Sequence, residues 1–339
     1  MPVETVTIAL AVKKYLEIVR LAKLKNTVDT YSKALKSFCL MLEENDLDPE
    51  VSPASDLTEE AVADFAIYLK NASPATERLN IQVAKGFYKF LAAERLAEIN
   101  LPRLDLLLEQ RVRRPGIRIP QFPVDEIERL LASVENVETL ALPVADESPT
   151  NVNLRAYRDR AFLLTLADTG FRVHEACNLR RGDMNWNEGY AVTIGKGDKQ
   201  AVVRFTSRAL RAIKDYLSHR APLDGSSGKQ LTSLPVFARH DKGVGNKVKP
   251  MTPTTGRNIV KERVTQLLGK EMAAQITPHT FRHYFVTAVL RGTGNLRYAQ
   301  ELARHKNIQV TERYTHLVNE ELDKAYYDVF EKKPKDKSA

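Results

Sequence analysis

The chain is short of several features that often settle a function early. It has two cysteines, Cys39 and Cys177, in 339 residues. That excludes a disulfide framework and any CxxC metal pair, and it suits a reducing cytoplasm. The opening MPVETVTIALAVKKYLEIV has no basic segment leading into an apolar one, so no signal peptide is expected. No apolar run is long enough to span a bilayer, which removes a membrane role. GxxxxGK[ST] is absent, so there is no Walker-type phosphate loop. His279 and His283 stand at the spacing of a zinc pair, but Thr280-Phe281 replaces the general-base Glu of HExxH. With no third ligand in evidence either, neither a metal site nor any other cofactor is expected. No internal repeat or low-complexity block occurs.

What is present is a polypeptide long enough for two ordinary domains and 43% hydrophobic, enough to bury substantial cores. The net charge of +8 is unevenly spread. Residues 1–110 hold 13 Lys+Arg against 17 Asp+Glu, a net of −4; residues 111–339 hold 38 against 26, a net of +12. A basic excess of this kind suits nucleic acid, because phosphate neutralisation releases counterions. It equally suits a soluble protein with solvated lysine faces.

The first third reads as helices. In Thr27–Asn45, Val28, Tyr31, Leu35, Phe38 and Leu42 recur at steps of three and four and share one face. Asp56 followed by Glu59 has the form of a capping arrangement ahead of Leu57–Lys70. Thr76–Leu96 forms another amphipathic helix with Leu79, Val83, Phe87 and Phe90 facing inward. Its opposite stripe, Arg78, Gln82, Lys85 and Lys89, fits a DNA groove or a solvated face. Residues 99–122, with Pro102, Pro115 and Pro120 and with Arg111, Arg113, Arg114 and Arg118, read as a basic linker between a helical domain (1–98) and a second domain (123–331). The tail, 332–339, reads as mobile.

In the second domain a short helix is expected at Val124–Ser133, a surface insertion at 136–153, and a buried helix at Tyr157–Asp168 ended by Thr169-Gly170. Between 190 and 205 the period changes to that of a β-hairpin with a Gly-rich basic tip, Gly195-Lys196-Gly197-Asp198-Lys199. Helices resume at Ser207–His219, at Thr277-Pro278 to about Leu290, at Leu296–Ala303, at Gln309–Glu312 and at Glu320–Glu331.

Within this frame several residues carry usable chemistry. Arg172 follows a helix break, where its forked donors can meet an oxyanion, and Glu175 is one turn away to hold it. Lys196, between two glycines, can approach a ligand and protonate a leaving oxygen; Lys199 competes for that role. His279 and Arg282 share a helix face. Tyr314 follows His305 by nine residues. A phenol titrates near 10 and attacks well only beside positive charge or a base. Twelve tyrosines are present, so no single one stands out alone.

The order of these pieces resembles a known pattern. TGFRVHEACNLRRGDMN, IGKGDKQAVVRF and TPHTFRHYFVTAVLRGTGNLRYAQELARHKNIQVTERYTHL are similar to the catalytic boxes of the tyrosine recombinase (phage integrase) family across roughly residues 121–330. The resemblance implies a mainly α fold with a small antiparallel sheet, arranged as a two-domain C-shaped clamp: a helical core-binding domain and a mixed α/β catalytic domain. It implies site-specific cleavage and rejoining of double-stranded DNA at paired sites, without metal or ATP, by a homo-tetramer that is a monomer or weak oligomer when free. By the same resemblance Tyr314 becomes the nucleophile of a 3′-phosphotyrosyl link, Arg172 and Arg282 clamp the phosphate, and Lys196 protonates the leaving 5′-oxygen. His279 helps move the nucleophile's proton and His305 hydrogen-bonds the phosphate, with Glu175 and His283 behind them. Arg304 departs from the pattern, which has a small residue there, and is an additional candidate phosphate contact. No separate arm-binding domain ahead of the core-binding one is expected, which favours a simple two-domain recombinase over a lambda-type integrase. Integrase and Xer-like resolvase both fit, the insertion and Arg304 leaning toward the former. A type IB topoisomerase, a catalytically inactive DNA-binding protein of the same fold and, more distantly, a metal-dependent nuclease are the alternatives.

Overall fold

The computed structural model describes residues 6–113, 123–141, 148–194, 200–241 and 247–305. The chain divides into two compact units, Met1–Ile117 and Arg118–Ala339.

The first unit contains five α-helices among its described residues: α1 (Ile8–Ala22), α2 (Lys25–Glu44), α3 (Glu59–Tyr68), α4 (Pro74–Ala93) and α5 (Leu101–Arg111). Caps set their starts. Thr7, Ser73 and Asn100 each accept a first-turn backbone N–H, and proline stands in the first turn of α4 and α5, where its missing N–H costs nothing. Phe38, Phe65, Phe87 and Tyr88 are fully buried at the centre. Each such ring contributes on the order of 1.5–3 kcal/mol by leaving water. Phe38 and Phe65 meet edge to face at 5.2 Å, and the Tyr88 hydroxyl donates to the Thr58 carbonyl at 3.0 Å.

Three expectations are corrected here. The stretch opening the expected linker is helix α5, packed on α3 with Leu104 fully buried; Pro102 lies in its first turn rather than breaking structure. The Asp56–Glu59 cap does not form. Glu59 instead turns its carboxylate to the Asn100 N–H and to Arg103, fastening α5 to α3. On α4, Leu79 is exposed while Glu77, Ile81, Ala84 and Leu91 are buried with Val83 and Phe87, so the inward face is rotated from the one expected.

The buried Glu77 decides the role of Arg113. Its carboxylate receives the Arg113 backbone N–H at 3.0 Å, the Arg113 guanidinium, and Lys70 Nζ at 3.2 Å. Burial would raise this carboxyl; the hydrogen bonds from Arg113 and Lys70 override it and hold it below the usual range. Arg111 pairs with Asp64 at 3.1 Å, and Lys85 pairs with Asp105. Arg113 is therefore engaged within the unit, and Arg111 and Lys85 are partly neutralised. Arg114 lies outside the described residues.

The second unit begins with α6 (Val124–Glu135), whose Ile127, Leu130, Leu131 and Val134 form one buried stripe. There follow α7 (Pro149–Thr169), α8 (Val173–Asn178), strands β1 (Met184–Asn185), β2 (Tyr190–Ile194) and β3 (Gln200–Arg204), then α9 (Ser207–Gly225), α10 (Pro253–Leu268), α11 (Met272–Gln275), α12 (Pro278–Thr293) and α13 (Leu296–Ala303). The sheet is antiparallel in the order β1-β2-β3, with Tyr190 opposite Arg204 and Ile194 opposite Gln200. It is the hairpin expected from the change of period. α7 is central: Ala161, Phe162, Leu163, Leu164 and Leu166 are all fully buried, and the helix packs on both α9 and α12.

The expected 136–153 insertion is shorter than its sequence suggests. Leu140 is buried, its carbonyl accepts from Arg263 at 2.8 Å, and α7 starts at Pro149. Ser148 caps it, which the polar run SPTN concealed. Residues 142–147 and the helices expected at 309–312 and 320–331 lie outside the described residues. No described helix is long and apolar enough to cross a membrane.

Arg113→Ala should lower the stability of the first unit by roughly 1–2 kcal/mol, discounted for its partial exposure and for the Lys70 contact that remains. The slope of log affinity for DNA against log salt should stay at the wild-type value. A slope lower by about one would mean that a phosphate contact had been lost.

Candidate active site

The site is assembled where three helix ends meet. α7 stops at Thr169 because Gly170 takes a left-handed φ of 58°. A Cβ on Gly170 would lie 2.4 Å from the Phe285 ring of α12, so this turn accepts only glycine. Phe171 buries itself completely, and Arg172 becomes the residue that opens α8. Glu175, three positions on, accepts from the Arg172 backbone N–H at 2.9 Å and from its guanidinium at 2.8 Å. Arg172 is thereby held at the surface, 42% exposed, by a carboxylate that is itself 11% exposed.

α12 supplies the second guanidinium. Thr277 caps it and Pro278 occupies its first turn, which fixes the phase of His279, Arg282 and His283. Arg282 is buried and runs beneath the Gly170 turn. It donates to the Gly170 carbonyl and to the Ala303 carbonyl at the end of α13. One side chain thus gathers the C-termini of two helices, where carbonyls lack intrahelical partners. Two of its five N–H donors are used in these bonds.

The third guanidinium is Arg304. It ends α13 with a left-handed φ of 58°, which a residue with a Cβ adopts at a cost of about 1–2 kcal/mol. Its guanidinium donates to Glu175 Oε2 at 3.2 Å, reaches the carbonyls of Thr169 and Gly170 at 3.4 Å, and lies 5.1 Å over the Phe171 ring. His305 follows at once, its backbone tied to Gln300 in both directions at 3.0 and 3.3 Å. His279 and His283 meet edge to face at 4.4 Å.

Arg172, Arg282 and Arg304 thus gather near one carboxylate, Glu175, and His279 and His305 lie within the field of Arg282 and Arg172. The electrostatic signs agree with that excess of positive charge. Burial, then the charges of Arg172 and Arg304, draw Arg282 down to about 9, still protonated at neutral pH. Burial and the neighbouring Arg282 and Arg172 push His279 below its usual value and His305 to about 4, so both imidazoles are neutral at pH 7. Burial favours a protonated Glu175, but hydrogen bonds from Arg172 and the charge of Arg304 override it and keep it ionised. Such a site holds cations together without enough anion, and a phosphodiester is the complementary ligand.

A profile of the phage integrase family matches residues 122–321. The chain belongs to the phage integrase family. These are the tyrosine recombinases, and the activity is site-specific DNA recombination. The chain is 29% identical over 305 residues to the tyrosine recombinase XerC of Bacillus pumilus (strain SAFR-032), covering 88% of each chain. It is 30% identical over 292 residues to the tyrosine recombinase XerD of Chlorobaculum tepidum, covering 86% of each. Among solved structures it is similar to the XerH site-specific recombinase bound to palindromic difH substrate, with a TM-score of 0.65 and 18% identity over 93% of this chain and 83% of that one. It also resembles a lambda integrase dimer bound to a COC′ core site, with a TM-score of 0.59 and 15% identity over 90% and 97%. These last two likenesses speak for the fold.

The structure brings Arg172, Glu175, His279, Arg282 and His305 together as the sequence boxes suggested. Lys196, Lys199 and Tyr314 lie outside the described residues. The pair Ile194–Gln200 brackets residues 195–199, and a groove of about 900 Å³ runs from Glu175 past Asn178 and Arg180 to Thr193 on β2. Arg78, Gln82 and Lys89 are exposed on α4 of the first unit. Sequence reasoning missed Gly170, whose carbonyl receives two guanidiniums, and Phe171, on which Arg304 lies. The Thr169-Gly170 break signalled a helix end; nothing in it signalled a shared acceptor.

His305 gives a pH test. The unfolded chain takes up this proton near 6.5, the folded one only near 4. Between those values the unfolded state binds more protons, so stability falls as pH drops from 6.5 toward 4. His305→Gln should flatten that part of the curve when denaturant melts at pH 7, 6 and 5 are compared with wild type. An unchanged pH slope would mean that His305 titrates normally.

Proposed function

We propose that this recombinase breaks and rejoins DNA through a 3′-phosphotyrosyl link at Tyr314, without metal or ATP. The observation that carries this reading is the convergence of Arg172 and Arg282 at the Gly170 turn, with two depressed imidazoles in their field and Glu175 as counter-charge. Arg172 and Arg282 hold the non-bridging oxygens and stabilise charge as the phosphorus becomes five-coordinate. The Tyr314 oxygen attacks phosphorus, and His279, neutral at rest, accepts the phenolic proton. The bond to the 5′-oxygen breaks, and Lys196 gives that oxygen a proton. His305 hydrogen-bonds the phosphate, with His283 beside the pair and Glu175 holding Arg172. A 5′-hydroxyl from the second duplex then attacks the phosphotyrosine and frees Tyr314. The number of phosphodiester bonds is unchanged, so no nucleotide hydrolysis is needed.

The finer assignment follows the relatives. The recombinases that it resembles over 86–88% of both chains are of the Xer kind, which supports exchange between two copies of a short site by a tetramer, as in resolution of a circular dimer. The earlier lean toward a mobile-element integrase rested on an insertion that is partly folded into the second unit and on Arg304. The exposed stripe Arg78, Gln82 and Lys89 would follow a groove of the duplex, with Lys199 added from the hairpin tip, and the enzyme would work in the cytoplasm on the nucleoid.

The test is covalent trapping. Wild type and Tyr314→Phe are mixed with nicked fragments of the source genome in EDTA, and SDS-resistant adducts are collected and their ends sequenced. Adducts with wild type alone are expected, at a discrete site. An adduct with Tyr314→Phe would overturn the nucleophile, and relaxation of any supercoiled plasmid regardless of site would point to a topoisomerase. Arg172→Ala should slow adduct formation by roughly two orders of magnitude or more while DNA affinity changes little. Equal loss of both would make Arg172 a binding residue only.

A further inference from the structure

Arg304 closes α13 in a left-handed conformation, and the geometry around its side chain gives it a task. Glu175 has two oxygens and two guanidinium partners. Oε1 receives the Arg172 side chain at 2.8 Å, and Oε2 receives the Arg172 N–H at 2.9 Å and Arg304 at 3.2 Å. Arg172 is the exposed partner, at 42%, and Arg304 the enclosed one, at 14%. Arg172 gives one of its five side-chain N–H donors to Glu175 and is the partner free to swing, so a guanidinium that turns fully onto a phosphate leaves Glu175 Oε1 without its donor. Without Arg304 the carboxylate, 11% exposed, would then keep only the Arg172 backbone N–H while an anion arrives beside it, which is unfavourable for a nearly buried charge. Arg304 does not need to move. It is seated on the Phe171 ring and directed to the Thr169 and Gly170 carbonyls.

We propose that Arg304 is a positioning residue that holds Glu175 when Arg172 turns to the scissile phosphate, and so lets Arg172 exchange carboxylate for phosphate. This rests on the phosphotyrosyl reading given above. The left-handed backbone at Arg304 fits the proposal, because it is tolerated at a cost that the side chain's contacts offset. Its guanidinium already meets four acceptors, Glu175 and the carbonyls of Thr169, Gly170 and Leu302, and lies over the Phe171 ring, which favours a positioning role over a direct phosphate contact.

The experiment is a double-mutant cycle between positions 304 and 175, read as single-turnover adduct formation on the nicked site recovered by trapping. Affinity for the same DNA is measured in a Tyr314→Phe background. Arg304→Ala should slow adduct formation by about tenfold, the size of coupling found between charged groups that share a partner, with affinity within about twofold of the parent. Arg304→Lys, which keeps the charge, should recover most of the rate and guards against misfolding of the alanine variant. In a Glu175→Gln background there is no charge left to hold, and Arg304→Ala should change the rate by less than about twofold. The inference is overturned if Arg304→Ala reacts at the wild-type rate, if its loss is as large in the Glu175→Gln background, or if the loss appears in affinity. Failure of the unmodified enzyme to form any adduct would overturn the phosphotyrosyl reading and this inference together; a wild-type rate in Arg304→Ala overturns this inference alone.

Discussion

Glu175 sets one negative charge among three guanidiniums, and the geometry of the site follows from how that charge is divided. Like charges brought this close repel unless each finds an acceptor. Arg172 and Arg304 take the two oxygens of the carboxylate; Arg282 takes backbone carbonyls instead. Carbonyl dipoles at helix C-termini are the natural substitute, because they carry partial negative charge and lack helical partners. The fold supplies two such ends, from α7 and α13, within reach of one side chain. Remove that convergence and Arg282 would be a buried cation without compensation, which proteins do not tolerate.

The convergence depends in turn on two left-handed residues, Gly170 and Arg304. Each stops a helix and turns the chain so that the next functional residue enters the cluster: Arg172 two positions after Gly170, His305 directly after Arg304. At Gly170 the Phe285 ring leaves no space for a side chain, so glycine is obligatory for packing as well as for backbone angle. At Arg304 a long side chain is accepted because its polar end reaches four acceptors and its planar face rests on Phe171. Chain reversal and charge placement are thus done by the same residues.

Much of this was legible in the sequence, for reasons that differ from residue to residue. The α12 face carrying His279 and Arg282 is local: Thr277-Pro278 sets its phase, and spacing of three puts both on one side. The β2–β3 hairpin is also local, since its period changes abruptly and glycines mark the turn. Helix α5 was hidden because Pro102 looks like a breaker unless Asn100 is seen as a cap, and because Leu104 shows its burial only once α3 lies against it. The role of Arg113 was hidden for the same reason. Charge on paper gives no hint that Glu77, 36 positions earlier, is buried and waiting for it. The ordered boxes brought the site residues to notice, but how they are held depends on carbonyls and on Phe171, groups that no motif records.

Burial and the same excess of positive charge together depress the imidazoles, and on the proposed mechanism the charge part ties proton transfer to substrate. Arg282 and Arg172 lower both His279 and His305, after burial has done the larger part. A phosphodiester seated between those guanidiniums cancels much of their field at the imidazoles. The coulombic part of the depression then relaxes and each ring becomes a better proton acceptor. On the proposed mechanism the base that must receive the phenolic proton is therefore weak while the site holds no phosphate and stronger once the scissile group is in place. The cations that bind the phosphate would also time the deprotonation of its attacker, because a proton arriving on His279 is tolerated only after the phosphate has offset the charges around it.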